Sequence, residues 1–181
     1  MEGASFSLIV KDVHNGETVF AYDTLRQLTP ASVMKTVTTA TALEILGEDY
    51  RFPTTLAYDG SIEKGLLKGN LYIKGSGDPS LGSAHFAPYH KRFLQEWISA
   101  LKKVGIHKIQ GAVIADESIF DTEGTSFKWV GEDMGSYYGA GSYGLCVFDN
   151  LYKLGLQTGA PGSRPKLKGT EPELSGIHFH N

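Results

Sequence analysis

Two short β-rich runs flanking a turn form the first pattern in the chain. Residues 6–11 and 18–22 are rich in apolar and β-favouring side chains, and His14, Asn15 and Gly16 lie between them. Asn-Gly between two such runs is typical of a β-hairpin, because both residues tolerate the backbone angles that a tight turn requires. The sequence therefore predicts a hairpin at the N-terminus.

A helix is predicted next. Residues 31–46 contain no Gly or Pro, Gly47 follows as a stop signal, and Thr29 and Pro30 suit the N-cap and the first turn. Four threonines lie inside this segment, and threonine is a poor helix former that depends on tertiary packing for support. We therefore expect this helix to be buried.

The middle of the chain favours short strands followed by a second helix. Residues 52–74 contain β-like runs broken at Asp59-Gly60, at Gly65 and at Gly69-Asn70, and residues 75–79 form a turn-rich stretch. In residues 89–104, apolar side chains recur at helical spacing, and Gly105 follows. These side chains are Phe93, Trp97, Leu101 and Val104. One face of this helix is expected to pack inward.

The remainder has weaker patterns. Residues 108–115 predict one strand, and residues 116–143 predict a long structured loop because Gly, acids and aromatics occur there without a steady period. From Gly159 onward, Pro, Gly and charged residues dominate, and no pattern there predicts an element that closes a domain. The sequence alone therefore suggests that the polypeptide stops before its fold does.

Composition narrows the classes of function. The 181 residues are 41% hydrophobic, enough for a sizeable core, and 17 Lys and Arg against 20 Asp and Glu give a net charge of −3. No long basic block is present, so we expect neither nucleic acid nor an anionic membrane as a partner. No apolar run approaches the length of a membrane span. The first ten residues lack a basic n-region, so the protein is either cytosolic or has lost its signal peptide.

A serine three residues before a lysine is the first candidate for chemistry. One helical turn places both side chains on the same face, where the amine can take the hydroxyl proton. With 14 Ser and 13 Lys, chance gives roughly one such pair, and the chain has four. The pairs are Ser32 with Lys35, Ser61 with Lys64, Ser99 with Lys102, and Ser163 with Lys166.

Context separates these four pairs. Pro165 pushes Arg164 out of the helical region, Ser61 follows a turn in a strand region, and Ser99 lies deep inside a helix. Ser32 is different, because it lies in a first helical turn where free N–H groups and the helix dipole favour an oxyanion. Burial of Lys35 would favour its neutral form. From spacing alone, an ordinary helix serine beside a surface lysine is the more frequent arrangement.

The wider segment, residues 28–47, LTPASVMKTVTTATALEILG, changes this balance. It resembles the nucleophile helix of the serine D-alanyl-D-alanine carboxypeptidases of the penicillin-binding protein 4 type. The resemblance continues through residues 49–55, 67–71, 75–81, 111–120 and 129–141, and so covers about residues 6–152 in one order. Several collinear motifs are more specific than any one of them.

The resemblance implies a mixed α/β (α+β) fold and a serine-type D-Ala-D-Ala carboxypeptidase, or an endopeptidase, that acts on peptidoglycan stem peptides. Ser32 would be the acylated nucleophile, Lys35 its proton acceptor, and β-lactams would trap Ser32. Residues 1–52 would form the N-terminal part of a transpeptidase-like domain, and residues 53–181 would form an incomplete inserted α+β domain. Within that domain, Asp133 would bind the substrate. That carboxylate would approach the amine of the stem peptide's third residue, although a plain surface or capping role for Asp133 is about as frequent. No cofactor or metal is implied, and the location would be periplasmic or otherwise extracytoplasmic.

The sequence departs from the family pattern in one respect. The family uses a second Ser-x-Asn element and a Lys-Thr-Gly or Lys-Ser-Gly strand, and neither occurs in the 181 residues. That strand supplies part of the oxyanion hole and holds the substrate carboxylate. We therefore expect an N-terminal portion of a longer enzyme, inactive alone; the alternative is a non-catalytic peptidoglycan-binding or sensing module.

Two other patterns have weaker claims. Residues 139–144 spell G-x-G-x-x-G, but they follow a polar aromatic loop and lack the strand, helix and distal acid of a dinucleotide site. His178 and His180 are too few ligands for a metal site. We expect neither a nucleotide cofactor nor a metal.

Overall fold

The computed structural model describes residues 3–86, 92–121 and 123–180. They form a mixed α/β structure of two α-helices, ten strands and several 3-10 turns, which confirms the predicted fold class. The chain divides into two compact units, Met1–Arg51 and Phe52–Asn181. The assignment of residues 1–52 to a transpeptidase-like domain and of residues 53–181 to an inserted domain stays a prediction.

The first unit contains a hairpin and a helix. Strands β1 (Leu8–Lys11) and β2 (Thr18–Tyr22) pair antiparallel, with Val10 opposite Phe20. The predicted turn is confirmed: the Asp12 carboxylate accepts hydrogen bonds from the His14 and Asn15 N–H groups. Helix α1 spans Met34–Leu46 and ends as predicted at Gly47, whose N–H donates to the Leu43 carbonyl.

Two expectations for α1 are wrong. A 3-10 turn, Ala31–Val33, precedes the helix, so Pro30 is its cap residue and Thr29 provides no cap. The helix is also exposed along its whole length, as no residue from 3 to 51 is buried. The physical reason is that one two-stranded hairpin offers too little surface to cover a helix whose apolar side chains point in several directions.

The second unit contains two three-stranded sheets. Strands β3 (Thr55–Tyr58), β6 (Leu71–Lys74) and β8 (Val113–Asp116) form one sheet, in the order β3-β6-β8. Strands β4 (Ser61–Glu63), β5 (Leu66–Lys68) and β7 (Lys108–Ile109) form the other, in the order β4-β5-β7. In each sheet the first pair is antiparallel and the second parallel.

The chain passes from one sheet to the other at three neighbouring points, and glycine is required there. A Cβ on Gly60 would meet the Lys68 carbonyl, and a Cβ on Gly69 would meet the Asp59 carbonyl. At the third point, the Gly111 N–H donates to the Gly69 carbonyl at 3.1 Å. This crossing splits the single strand predicted over residues 108–115 into β7 and β8.

Three polar side chains hold this crossing together, and we call Asp59, Asn70 and Tyr72 the crossover cluster. The Asp59 carboxylate accepts hydrogen bonds from the Asn70 N–H (2.6 Å), the Asn70 side-chain amide (3.0 Å) and the Tyr72 hydroxyl (2.8 Å). The Asn70 side-chain oxygen accepts from the Ala112 N–H at 2.9 Å. The three bonds to Asp59, led by that from the Asn70 N–H, hold the pKa of Asp59 below its ordinary value. The hydrogen bond from the Tyr72 hydroxyl to Asp59 raises the pKa of Tyr72.

Helix α2 (Phe93–Lys103) packs as its pattern predicts along most of one face. Phe93 is buried, Trp97 and Leu101 are half-buried, and the Phe93 and Trp97 rings meet edge to face at 4.9 Å. Val104 is exposed because the helix ends before it, and residues 89–91 of the predicted helix lie outside the described residues. Among the described residues of the second unit, the buried apolar side chains are Leu67, Leu71, Leu81, Phe93 and Ile106.

The end of the chain corrects another expectation. Strand β10 (Lys166–Glu171) pairs antiparallel with β9 (Lys153–Gln157), although no element was expected after Gly159. Gly159, Pro161, Gly162 and Pro165 lie in the turn between its strands, while Gly155 and Gly169 lie within β9 and β10. Among the described residues, no helix combines the length and apolar character needed to cross a membrane.

Candidate active site

Ser32 and Lys35 lie together at the start of α1. Ser32 is the middle residue of the 3-10 turn, and Lys35 follows it by one turn as the second residue of the helix. The Lys35 Nζ donates a hydrogen bond to Ser32 Oγ at 3.1 Å. This separation also permits the reverse transfer, in which a neutral amine accepts the hydroxyl proton.

The backbone before Ser32 has an unusual conformation. Ala31 has a φ of +46°, a left-handed angle that residues with a Cβ rarely adopt, while Pro30 on its other side is in the ordinary right-handed region. The Val33 N–H donates to the Pro30 carbonyl at 3.1 Å and closes the turn. The serine therefore stands on a tight turn that leads directly into a helix N-terminus.

The surroundings of Lys35 differ from the expectation. The expected neutral form relied on burial of the helix, and Lys35 is exposed in this chain. No acidic residue lies in the first turn of α1, so no carboxylate competes there for the amine or repels a developing oxyanion. What the structure supplies is proximity and a favourable helix terminus, without the desolvation expected from sequence.

Ser32 with Lys35 is distinct from the other three pairs. Within residues 3–86, 92–121 and 123–180, it is the one Ser-x-x-Lys pair joined by a side-chain hydrogen bond. Ser61 lies on β4 while Lys64 lies in the following turn, and Ser99 and Lys102 are both exposed on α2. The geometry of the Ser32–Lys35 pair thus differs from that of these two pairs, and the assignment of Ser32 as the nucleophile stays a prediction.

Asp133 belongs to the second unit and has its own surroundings. It ends the short 3-10 turn Gly131–Asp133 and is half-buried. Its Oδ1 accepts a hydrogen bond from the Tyr138 hydroxyl at 3.2 Å, and the Tyr138 ring meets the Tyr137 ring edge to face at 5.1 Å. The carboxylate is thus positioned by an aromatic pair, and its part in substrate binding stays a prediction.

The weaker patterns are explained by packing. The G-x-G-x-x-G segment follows a 3-10 turn, Tyr137–Gly139, and not a strand. Gly139 and Gly144 lie where a Cβ would meet the carbonyls of Asp133 and Glu117, so close backbone approach accounts for both. Among the described residues, no group of three or more His, Cys, Asp and Glu side chains is placed to hold a metal ion.

Sequence reasoning missed a strained turn in the second unit. Phe148, Asp149 and Asn150 have φ values of +54°, +59° and +53°, three consecutive left-handed residues without a glycine. Asp and Asn are enriched in this conformation, so the Asp-Asn pair was a usable signal. Phe148 gave no such signal, because its conformation depends on contacts with residues far away in sequence.

Comparison with known proteins places these features in a family. The model of the D-Ala-D-Ala carboxypeptidase 3 (S13) family matches residues 1–180. A D-alanyl-D-alanine carboxypeptidase from Actinomadura sp. (strain R39) is 33% identical over 147 residues, which are 81% of this chain and 26% of that protein. The D-alanyl-D-alanine carboxypeptidase DacB of Haemophilus influenzae is 29% identical over 133 residues, 74% of this chain and 26% of that protein.

Solved structures agree with these matches. The crystal structure of penicillin binding protein 4 (dacB) from Haemophilus influenzae superposes with a TM-score of 0.74 and 28% identity, over 88% of this chain and 34% of that one. The same protein complexed with a novel β-lactam gives a TM-score of 0.65 and 26% identity, over 92% of this chain and 32% of that one. The chain thus spans about a quarter of the length of the two carboxypeptidases and a third of the structures that it matches. On the match that runs from residue 1 to residue 180, the chain belongs to the D-Ala-D-Ala carboxypeptidase 3 (S13) family.

Proposed function

We propose that this chain carries the nucleophile, Ser32, and the proton acceptor, Lys35, of a serine-type D-Ala-D-Ala carboxypeptidase. The observation that supports this most directly is the 3.1 Å contact between Lys35 Nζ and Ser32 Oγ at the N-terminus of α1. Membership of the S13 family supports the choice of substrate, a peptidoglycan stem peptide that ends in two D-alanines.

The first step is acylation. Lys35 in its neutral amine form accepts the Ser32 hydroxyl proton while Ser32 Oγ forms a bond to the carbonyl carbon between the two D-alanines. The tetrahedral intermediate then breaks its C–N bond, and the Lys35 ammonium returns the proton to the departing D-alanine nitrogen. The product is an ester between Ser32 and the shortened stem peptide. The helix N-terminus favours the negative oxygen of the intermediate.

The second step is hydrolysis. Water attacks the ester carbonyl, its proton passes to Lys35, and the Ser32 oxygen leaves and recovers a proton. A β-lactam enters the same first step, but its cleaved amide stays attached to the acyl group, so Ser32 remains esterified. We therefore propose β-lactams as ligands of this chain, in line with the β-lactam complex of the Haemophilus influenzae protein.

Asp133 is the proposed contact for the stem peptide's third residue. A carboxylate attracts an amine through charge and hydrogen bonding, and the Tyr138 hydroxyl occupies only part of the capacity of Asp133 to accept. In this proposal, residues 1–52 contribute the nucleophile as part of a transpeptidase-like domain. Residues 53–181 form an inserted domain that contributes Asp133.

Two further proposals concern the chain by itself. Its 181 residues contain no Ser-x-Asn and no Lys-Thr-Gly or Lys-Ser-Gly element, so we expect it to turn over little substrate alone. Since peptidoglycan lies outside the cytoplasmic membrane, we propose a periplasmic or otherwise extracytoplasmic location.

A fluorescent penicillin tests the proposed nucleophile. We expect covalent labelling of the longer protein that contains this chain. Ser32→Ala should reduce the rate of labelling at least about a thousandfold, because no other oxygen takes the place of Ser32 Oγ. Ser99→Ala is the matched control, since Ser99 has the same spacing to a lysine on an exposed helical face. Mass spectrometry of the labelled peptide identifies the modified residue.

The possible outcomes separate the candidate functions. Labelling that survives Ser32→Ala would reject Ser32 as the nucleophile. Binding of stem peptide without any labelling of the longer protein would favour the non-catalytic binding module. Rapid hydrolysis by these 181 residues alone would contradict the expected need for the missing elements.

A further inference from the structure

A cavity of about 730 Å³ opens in the second unit, and its lining includes neither Asp133 nor the Ser32–Lys35 pair. Its lining includes two tyrosines, Tyr137 and Tyr152, together with four charged or titratable side chains. These four are His85, Asp149, Lys153 and Glu171. Its size and its mixture of aromatic and polar groups are those of a site for a small organic ligand.

The two tyrosine rings are exposed yet supported. Tyr137 is 77% exposed and Tyr152 is 46% exposed. The Tyr137 ring contacts the Tyr138 ring at 5.1 Å, and the Tyr152 ring contacts that of Phe179 at 6.1 Å. Rings held in place by neighbours lose little freedom on binding and offer a flat apolar face with a polar edge. They therefore suit a ligand with a flat apolar face of its own.

The strained turn Phe148–Asn150 forms part of the same lining and is an independent sign of a ligand site. The Phe148 N–H donates to the Leu81 carbonyl at 2.8 Å, and its ring contacts Phe93 at 5.7 Å. The Asn150 side chain donates to the Gly141 carbonyl at 2.7 Å. Left-handed residues held by so many contacts occur preferentially at ligand sites, and here they bring Asp149 to the cavity.

The charges of the lining select the class of ligand. The carboxylates of Asp149 and Glu171 disfavour a phosphate or another polyanion, and the ammonium of Lys153 disfavours a simple cation. Together these groups provide acceptors and donors for a neutral ligand that carries hydroxyl and amide groups. A pyranose ring adds an apolar C–H face that packs on tyrosine, so an N-acetylated sugar satisfies both halves of the lining.

We propose that this cavity binds N-acetylhexosamine units of the peptidoglycan glycan strand. The identity of the glycan rests on the proposed function, which makes peptidoglycan the substrate. The stem peptide would be processed at Ser32, while the sugar backbone that carries it would be held by Tyr137 and Tyr152.

Titration with a peptide-free sugar tests this proposal. The probe is a β-linked tetramer of N-acetylglucosamine, with binding followed by isothermal titration calorimetry and by NMR of the protein. We expect Tyr152→Ala to weaken binding at least about tenfold because it removes a central aromatic contact. Tyr152→Phe keeps the ring and is expected to retain most of the affinity. Tyr58→Ala is the matched control, since Tyr58 is 47% exposed and lies on β3 outside the lining.

A second variant covers the case in which Tyr152→Ala does not fold. Glu171→Gln keeps the size of an exposed side chain at the end of β10, and we expect it to weaken the tetramer by roughly three- to tenfold through loss of a charged acceptor. No binding of the tetramer, or equal weakening by Tyr58→Ala, would overturn the proposal. Displacement of the tetramer by a sugar-free stem pentapeptide would overturn it as well.

The test is independent of the proposed enzyme activity. The titration contains no penicillin and no cleavable peptide, so a failure of Ser32 to be labelled removes the proposed nucleophile and leaves the sugar measurement interpretable. Conversely, labelling of Ser32 without any binding of the tetramer removes the glycan site alone.

Discussion

The two units of this chain differ in two features: which of them contains the proposed active-site residues Ser32 and Lys35, and which of them contains a buried apolar core. From residue 3 to residue 51 no side chain is buried, yet this unit holds the Ser32–Lys35 contact. The second unit buries Leu67, Leu71 and Phe93 between short strands and a helix. The Ser32–Lys35 contact therefore depends on one turn of local backbone, whereas the core of the second unit depends on contacts between distant segments.

The two helices show the same difference. The apolar side chains of α2 lie along one face, and that face packs inward through Phe93 and Trp97. The apolar side chains of α1 are spread around the helix, a pattern normally found in buried helices, yet Val37 and Leu43 are exposed. The Ser32–Lys35 contact thus forms at the start of a helix that has no buried residue among residues 34–46.

The substitution Lys35→Ala has the largest expected effect. It tests the first unit, which contains the Ser32–Lys35 contact but no buried side chain among residues 3–51. We expect Lys35→Ala to slow acylation by a fluorescent penicillin about 10²- to 10⁴-fold, the usual contribution of a positioned general base. Because Lys35 is exposed, its removal should leave the free energy of unfolding within about 0.5 kcal/mol of the parent. Stopped-flow labelling and urea unfolding measure the two quantities.

The matched control for Lys35 is Lys102→Ala, which removes the lysine of the decoy pair on α2. Lys102→Ala should change neither the rate of acylation nor the free energy of unfolding beyond experimental error. An unchanged labelling rate in Lys35→Ala would remove the proposed base. A large loss of stability in that variant would show instead that Lys35 supports the fold.

The substitution Leu67→Ala has the next largest expected effect, and it tests the buried core of the second unit. The Leu67 side chain is 0% exposed on β5, and we expect Leu67→Ala to lower the free energy of unfolding by about 2–5 kcal/mol through lost burial and a residual cavity. Urea unfolding followed by tryptophan fluorescence reports on this unit, because both tryptophans, Trp97 and Trp129, belong to it.

Leu43→Ala is the matched substitution in the first unit. Leu43 lies on α1 and is 61% exposed, so we expect Leu43→Ala to change the free energy of unfolding by no more than about 0.5 kcal/mol. A loss as large as that of Leu67→Ala would show that α1 is covered in solution. The contrast between the two units would then fail.

Local patterns predicted the parts of the molecule that depend on neighbouring residues. The hairpin turn at Asn15-Gly16, the end of α1 at Gly47 and the one-turn spacing of Ser32 and Lys35 each involve residues only a few positions apart. Such contacts follow from backbone geometry, and sequence spacing describes them well.

Features that depend on distant residues were missed. The split between β7 and β8 arises because Gly111 meets Gly69, more than forty positions earlier, and the cavity joins residues near 85, 137, 150 and 171. Exposure of α1 was also missed, since helical periodicity describes the side chains of a helix and not the layer that covers it. No pattern within a window of ten or twenty residues contains this information.

Asp59 gives the smallest of the expected effects and shows how the second unit joins its two sheets. Its pKa is held below the ordinary value of 3.8, chiefly by the hydrogen bond from the Asn70 N–H. The folded carboxylate therefore stays charged at a pH at which the unfolded one takes up a proton. The stabilisation is fully present well above pH 3.8, and it is lost as the pH falls from 3.8 through the lower pKa of the folded state.

Asp59→Asn tests this linkage. The amide can still accept one of the three hydrogen bonds, but its NH₂ group cannot accept from the Tyr72 hydroxyl or from the Asn70 amide. We expect a melting temperature below that of the parent at pH 7, by less than in Leu67→Ala, with the difference shrinking as the pH falls below 3.8. Asp23→Asn, which breaks the exposed ion pair with Arg26 in the first unit, is the control and should change the melting temperature less at pH 7. A difference between Asp59→Asn and the parent that stays constant from pH 7 to pH 2 would mean that the crossover cluster does not depend on the charge of Asp59, and that shape alone holds the two sheets at their crossing.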